Sequence, residues 1–306
     1  MNRLTFSKTE QVIHLKERNN PHTALASVVA SASSVVSADA DLTPARTIAI
    51  TSGKGGVGKT NIVANLGYAL CKAGKRVLIF DADLGLGNLD VLLGLAPRYN
   101  FSHVIKGEKT ISEIIVDGPG SLKILPASSG IQKLTRLSVY QKMEIFNELN
   151  AVLNHYDIVL IDTAAGISLD VLYFNVSANE IMVVVTPDPT SITDAYALIK
   201  ILSVKYAANQ FRLLVNQVKD EKEAEDVRRH LTTVTNRFLD VSIVYAGSIP
   251  QDENVRLSVR KQKVVSEWAP MSDAARHFAD LAHALIHSVP MEPDPDRMSL
   301  LWQEIM

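Results

Sequence analysis

From residue 45 onward, short apolar runs alternate with longer stretches in which apolar residues return every three or four positions. Thr47-Ile48-Ala49-Ile50-Thr51 is short, apolar and β-branched, and predicts a buried strand. Similar runs at 76–80, 122–126, 157–161, 180–186, 211–216 and 241–249 predict further strands. Ile62, Val63, Leu66, Ala69 and Leu70 share one side of a helix over 59–73. Helices are also expected over 138–154, 191–206, 220–238, 252–262 and 272–288. The strands are apolar at nearly every position, not at every second one, so both of their faces must be covered. The fold class is therefore α/β: a mostly parallel, twisted sheet with helices on both faces. Ligands of such sheets gather at the carboxyl ends of the strands. The loop 53–60, Asp81, Asp162, Asn216 and Pro250 all fall at such ends.

The two ends of the chain follow different patterns. Residues 1–20 predict a short helix, opened by the capping box Ser7-Lys8-Thr9-Glu10 and carrying Val12, Ile13 and Leu15 on a small apolar face. Residues 21–44, rich in Ala, Ser and Val, read as a flexible linker. The main domain spans 45–290, and 291–306 form a C-terminal amphipathic tail. In that tail Met298, Leu301, Trp302 and Ile305 share a helical face.

Composition narrows the possibilities. With 47% hydrophobic and 21% charged residues, the chain has the make-up of a globular protein with a large core. A formal charge of −2 disfavours direct DNA binding through bulk charge. Cys71 is the only cysteine, which excludes an intramolecular disulfide and any iron–sulfur cluster held by one chain. No run approaches 18 uninterrupted apolar residues. Residues 23–38 make a poor signal peptide, because serines break the apolar run and the preceding flank mixes both charge signs. A cytoplasmic protein is expected.

The chemistry concentrates in Gly53-Lys54-Gly55-Gly56-Val57-Gly58-Lys59-Thr60. Gly53, Gly58, Lys59 and Thr60 match the phosphate-binding loop G-x-x-x-x-G-K-[ST]. In that loop backbone N–H groups cradle phosphates, the lysine reaches the β and γ oxygens, and the threonine hydroxyl binds Mg²⁺. The helix that follows adds its dipole, starting at Lys59, Thr60 and Asn61. Lys54 is one lysine more than the pattern needs. Placed at the start of the loop, it would point out of its own site, where it could compensate the phosphates of a facing subunit. ATP or ADP with Mg²⁺ is the expected ligand.

Three further segments complete the expected site. Of Asp81 and Asp83, one carboxylate can hold the Mg²⁺ water shell and the other can orient a water for attack on the γ-phosphate. Asp162, at the end of Ile158–Ile161, is placed to reach Mg²⁺, and Gly166 lets the backbone approach the γ-phosphate. The amide of Asn216 offers a donor and an acceptor to an adenine edge, and Pro250-Gln251-Asp252 could wall the base.

These motifs resemble the MinD/ParA group of P-loop ATPases with a deviant Walker A loop. The likeness is carried by 54–60, by Asp81-Ala82-Asp83-Leu84-Gly85-Leu86-Gly87-Asn88-Leu89-Asp90 and by Asp162-Thr163-Ala164-Ala165-Gly166. Two more stretches, 188–200 and 237–241, are similar to the FlhG/FleN regulators of flagellar number within that group. The resemblance covers about 45–290. It implies an ATP-dependent homodimer in which Lys54 contacts the partner's nucleotide and hydrolysis acts as a timer. It implies catalytic roles for Lys54, Lys59 and Asp83, with Asp83 positioning water. Thr60, Asp81 and Asp162 are expected on the metal side. Implied partners are an FlhF-type GTPase, a FleQ-like transcriptional activator and flagellar switch (C-ring) proteins. Residues 10–16 are similar to the family's GTPase-activating pattern D-Q-A-x-x-L-R, but carry Glu10, Val12 and Lys16 where it has Asp, Ala and Arg. The family's membrane-targeting helix has its counterpart at 298–306, which implies reversible association with the membrane or cell pole. Two other readings stay open: a partitioning or division-site ATPase, and an adaptor that binds ATP without hydrolysing it.

Overall fold

Eight strands form one sheet in the computed structural model, which describes residues 45–83, 87–127 and 138–291. The strands are β1 (Arg46–Thr51), β2 (Val77–Ala82), β3 (Val116–Asp117), β4 (Lys123–Leu125), β5 (Ile158–Thr163), β6 (Glu180–Val185), β7 (Gln210–Val218) and β8 (Ser242–Pro250). Their order across the sheet is β3-β4-β2-β5-β1-β6-β7-β8. Every pairing is parallel except β3 with β4. The parallel core matches the expectation, and the antiparallel edge is an addition. The chain divides after Thr43, and all the described residues lie in the second unit. The predicted helix of 1–20, the linker of 21–44, the tail beyond Met291 and residues 84–86 lie outside the described residues.

Helices of eight residues or more are α1 (Lys59–Lys72), α2 (Val139–Leu153), α3 (Leu169–Ser177), α4 (Pro189–Tyr206), α5 (Glu221–Phe238), α6 (Glu253–Arg260) and α7 (Asp273–His287). Most start where a side chain can satisfy an orphan backbone N–H. Asp188 accepts from Thr190 N ahead of α4, Asp220 from Glu223 N ahead of α5, and Ser272 from Ala275 N ahead of α7. Pro189 at the first position of α4 starts that helix two residues earlier than its apolar spacing predicts.

Successive residues of the central strands point to opposite faces, and each face has its own helices. Ile48, Ile50, Ile79, Leu160, Met182 and Val184 pack under α1 and α7. On the other face, Ala49, Leu78, Phe80, Val159 and Ile161 meet α2 and α3. Ile181, Val183, Val185, Leu213 and Val215 meet α4 and α5. This two-sided burial is why β1, β2, β5 and β6 read as continuous apolar runs.

The amino ends of β1, β6 and β7 are joined by charge. Glu180 opens β6 with its side chain fully buried, and it accepts from Arg46 of β1 and Arg212 of β7. Arg46 also donates to Leu285 O, and both arginines reach Ser288 Oγ, at 3.0 and 3.2 Å. Arg212 donates as well to Val289 O. The end of α7 is thus tied to the floor of the sheet.

Candidate functional site

The carboxyl end of β1 runs into the loop 53–58, which turns into α1. Two glycines are required there by geometry. A Cβ on Gly53 would lie 2.1 Å from Asp194 O. Gly58 has φ +92°, and a Cβ on it would lie 2.6 Å from Asn216 Nδ2. Lys59 is 8% exposed and donates to Ser52 Oγ at 2.9 Å, while Ser52 in turn donates to Lys54 O at 2.7 Å. Burial pulls the Lys59 ammonium below its usual range, and the charges of Asp162 and Asp83 oppose that shift. Ser52 was not anticipated from the sequence. Its only signal is a hydroxyl residue between an apolar strand and a glycine loop.

Strand register gathers the carboxylates. Asp81 and Asp162 are direct partners across β2 and β5, and Ile50 of β1 pairs with Asp162 on its other side. Both aspartates are almost fully buried, at 3% and 2% exposure. Burial first, then the charge of Asp162, pushes Asp81 up to about 8, although backbone N–H groups of Asp83 and Leu89 oppose it. Burial raises Asp162 to about 7 against the opposing hydrogen bond from Thr60 and the charge of Lys59. Asp162 Oδ1 is buried without a hydrogen-bond partner among the described residues. Gly166 N donates to Ser52 O at 2.9 Å, so the segment after β5 is fastened to the root of the phosphate loop.

A cavity of about 510 Å³ opens beside the start of α1. Gly58, Asn61, Asn216, Pro250, Asp252 and Phe278 are among its lining residues. Asn216 and Pro250, the residues expected beside a base, thus line one and the same cavity. The Nδ2 of Asn216 is already donating to Val57 O at 2.7 Å, so the side chain braces the loop as well as facing the cavity. Asp252 is more committed than its position implied. Its Oδ1 caps α6 by accepting from Asn254, and its Oδ2 accepts from Ala274 N. Asn61 accepts from Asn65 Nδ2 through its Oδ1.

The two lysines of the loop go to different places. Lys59 lies inside with the aspartates. Lys54 lines a separate cleft of about 440 Å³ together with Thr186, Pro187, Asp188, Lys219 and Glu223. There it forms an ion pair with Asp188 and donates to Thr190 Oγ1 at 2.6 Å. Asp188, held below the usual carboxylate range by Lys54, thus serves both the lysine and the start of α4.

A parallel sheet with helices on both faces, a glycine loop leading into a helix, and strand-end aspartates beside a buried lysine define a P-loop nucleotide-binding protein. Lys54 in a cleft of its own distinguishes this loop from the ordinary one. Residues 45–213 match the model of a family described as AAA domain. The chain is 44% identical over 252 residues to the antiactivator FleN of Pseudomonas aeruginosa, covering 82% of this chain and 90% of that protein. It is 38% identical over 240 residues to the flagellum site-determining protein YlxH of Helicobacter pylori, covering 78% and 81%. The septum site-determining protein MinD of Pyrococcus horikoshii, solved in complex with Mg-ADP, superposes with a TM-score of 0.63 at 25% identity, covering 79% of this chain and 96% of that one. The chain belongs to the FleN/FlhG flagellar-number regulators of the MinD/ParA P-loop ATPases.

Proposed function

We propose that this chain is a slow, dimer-dependent ATPase that regulates flagellar number, placement and gene expression by pairing with a second copy of itself while ATP is bound. The observation that carries this reading is the divergence of the two lysines: Lys59 is buried beside Asp162 and Asp83, whereas Lys54 lines a cleft. One cation serves the chain's own site, and the other faces outward.

The residues fit Mg-nucleotide. The loop is packed so closely that a Cβ at Gly53 would meet Asp194 O and one at Gly58 would meet Asn216 Nδ2, which fixes its backbone in the turn that leads into α1. Asp162 Oδ1 is a buried oxygen without a donor among the described residues, which a cation's water shell could supply. Thr60, Asp81 and Asp162 would hold the metal and its waters. Magnesium, when bound, neutralises charge on the β and γ oxygens. Lys59 binds those same oxygens, Asp83 orients the attacking water, and the loop N–H groups fix the phosphates. Lys54 leaves Asp188 and Thr190 to contact the partner's nucleotide. Gly166, tied to Ser52 O, links the phosphate site to the segment after β5.

The partners of the paired form would be an FlhF-type GTPase, a FleQ-like activator and flagellar switch proteins. The protein would work in the cytoplasm and associate reversibly with the membrane or pole through 298–306. Among the described residues no helix is long and apolar enough to cross a membrane. Size-exclusion chromatography of Asp83→Ala with ATP, with ADP and without nucleotide tests the switch. A dimer with ATP alone is expected. Pairing that ignores the nucleotide would favour the non-hydrolysing adaptor instead.

A further inference from the structure

Among the described residues, three that are not glycine have a positive φ: Ala207, Gln217 and Gln262. Such a backbone costs an L-residue about 1–2 kcal/mol, and a persistent instance calls for a cause. Two have one. Ala207 ends α4, where its N–H donates to Ser203 O and the N–H of Ala208 to Leu202 O, closing the last turn. Gln262 donates its side-chain amide to Val91 O at 2.8 Å. Gln217, at φ +61°, has no such account. Its side chain is exposed, and among the described residues nothing hydrogen-bonds to its carboxamide.

The position of Gln217 supplies the missing cause. It sits at an irregularity of β7, where the register with β8 shifts between Asn216 and Val218. An irregularity of this kind turns a side chain out of the regular in–out alternation. Gln217 lines both the cavity bounded by Asn216 and Pro250 and the cleft that holds Lys54. Its Nε2 lies 3.9 Å from where a Cβ on Gly58 would stand. It therefore flanks the junction of the phosphate loop and the base cavity. When phosphates occupy the loop and a base occupies the cavity, the sugar spans that junction. A ribose hydroxyl both donates and accepts, and so does a carboxamide.

We propose that Gln217 is a specificity-determining residue that hydrogen-bonds a ribose hydroxyl of the bound nucleotide, with the strained backbone holding its carboxamide toward the sugar. This rests on the nucleotide reading above and adds the sugar to it. Asn216 and the loop glycines bind the two ends of the ligand, and Gln217 distinguishes ribose from deoxyribose between them.

The test is calorimetric titration of the full chain with Mg²⁺ and ADP, 2′-deoxy-ADP or 3′-deoxy-ADP. Wild type, Gln217→Gly and Gln217→Ala are compared, and melting is recorded without nucleotide. Glycine accepts the positive φ freely, so Gln217→Gly should melt at or above the wild-type midpoint. It should nevertheless bind ADP about three- to tenfold more weakly, the worth of one neutral hydrogen bond. Wild type should disfavour one of the deoxy nucleotides by a similar factor, and that preference should vanish in both variants. A purely conformational role would raise the Gln217→Gly midpoint and leave all three affinities alone, which overturns the proposal. An equal loss for all three ligands also overturns it, because the sugar hydroxyl is then not what Gln217 reads. If wild type binds none of the three, the nucleotide reading itself falls, and the proposal with it.

Discussion

Buried charge lies at both ends of the strands of this sheet, and the two sets are finished differently. At the amino ends, Glu180 has a guanidinium on either side, and Ser288 and the carbonyls of Leu285 and Val289 take up the remaining donors. At the carboxyl ends, Asp81 and Asp162 sit side by side, both pushed upward by burial, and one oxygen of Asp162 has no partner among the described residues. A satisfied buried network holds a structure together, whereas a buried polar atom left unpaired calls for an explanation, and a bound ligand is one. The contrast separates scaffold from site without reference to any relative.

The largest expected effect breaks the scaffold side. Glu180→Gln removes the anion between two buried guanidinium groups and should cost about 3–5 kcal/mol in urea unfolding. ADP affinity of the fraction that stays folded should be unchanged. A loss below about 1 kcal/mol would show that the cluster is not a structural anchor.

The site side should respond in the opposite sense. Asp81 and Asp162 hold their protons to about 8 and about 7, above the 3.8 of a free aspartate, so the folded form keeps protons that the unfolded chain has released. Stability of the ligand-free protein should therefore fall as pH rises from about 4 to 8, and it should fall less with Mg-ADP bound. Asp162→Asn removes one of the two titrating groups. It should raise ligand-free stability at pH 8 by at least about 1 kcal/mol, because a neutral amide has no charge to ionise in the buried position, and abolish ATP turnover. A variant less stable than wild type at that pH would place Asp162 with Glu180 among the structural charges.

The smallest effect on stability belongs to the exposed pair between Lys54 and Asp188. Asp188→Asn keeps a side-chain oxygen for Thr190 N and should leave the melting midpoint where it is. It should lower the ATP concentration needed for dimerisation, measured by light scattering. An unchanged or raised requirement would mean that the pair does not compete with association.

Much of this contrast was legible in sequence, and the rest was hidden for identifiable reasons. Apolar runs located the core strands, and the aspartates closing two of them, with the glycine loop, marked the site. The short helices Leu89–Leu92, Phe101–Ile105 and Ile111–Ile114 went unread because four or five residues hold too little periodicity. α3 was missed because it is apolar almost all round, and strand β3 because two residues carry no pattern. The amino-end cluster joins residues 32 to 242 positions apart, so only the fold brings them together. A glutamate opening an otherwise apolar strand was its one visible sign. Asp188 was read as part of a family stretch, but its hold on Lys54 spans 134 positions and leaves no local trace. Gln217 looked like any polar residue after a strand, since backbone dihedrals are not written in composition.

The attachment of Lys54 also bears on ionic strength. A solitary ammonium that meets an anion on another molecule creates a new ion pair, and added electrolyte opposes it steeply. Here the ammonium already has a counter-ion on its own chain. In the pairing proposed above, joining a second copy would exchange one anion for another, and the tally of paired charges would stay constant. Pairing of the proposed kind would accordingly be less sensitive to added salt than a contact made from a bare cation.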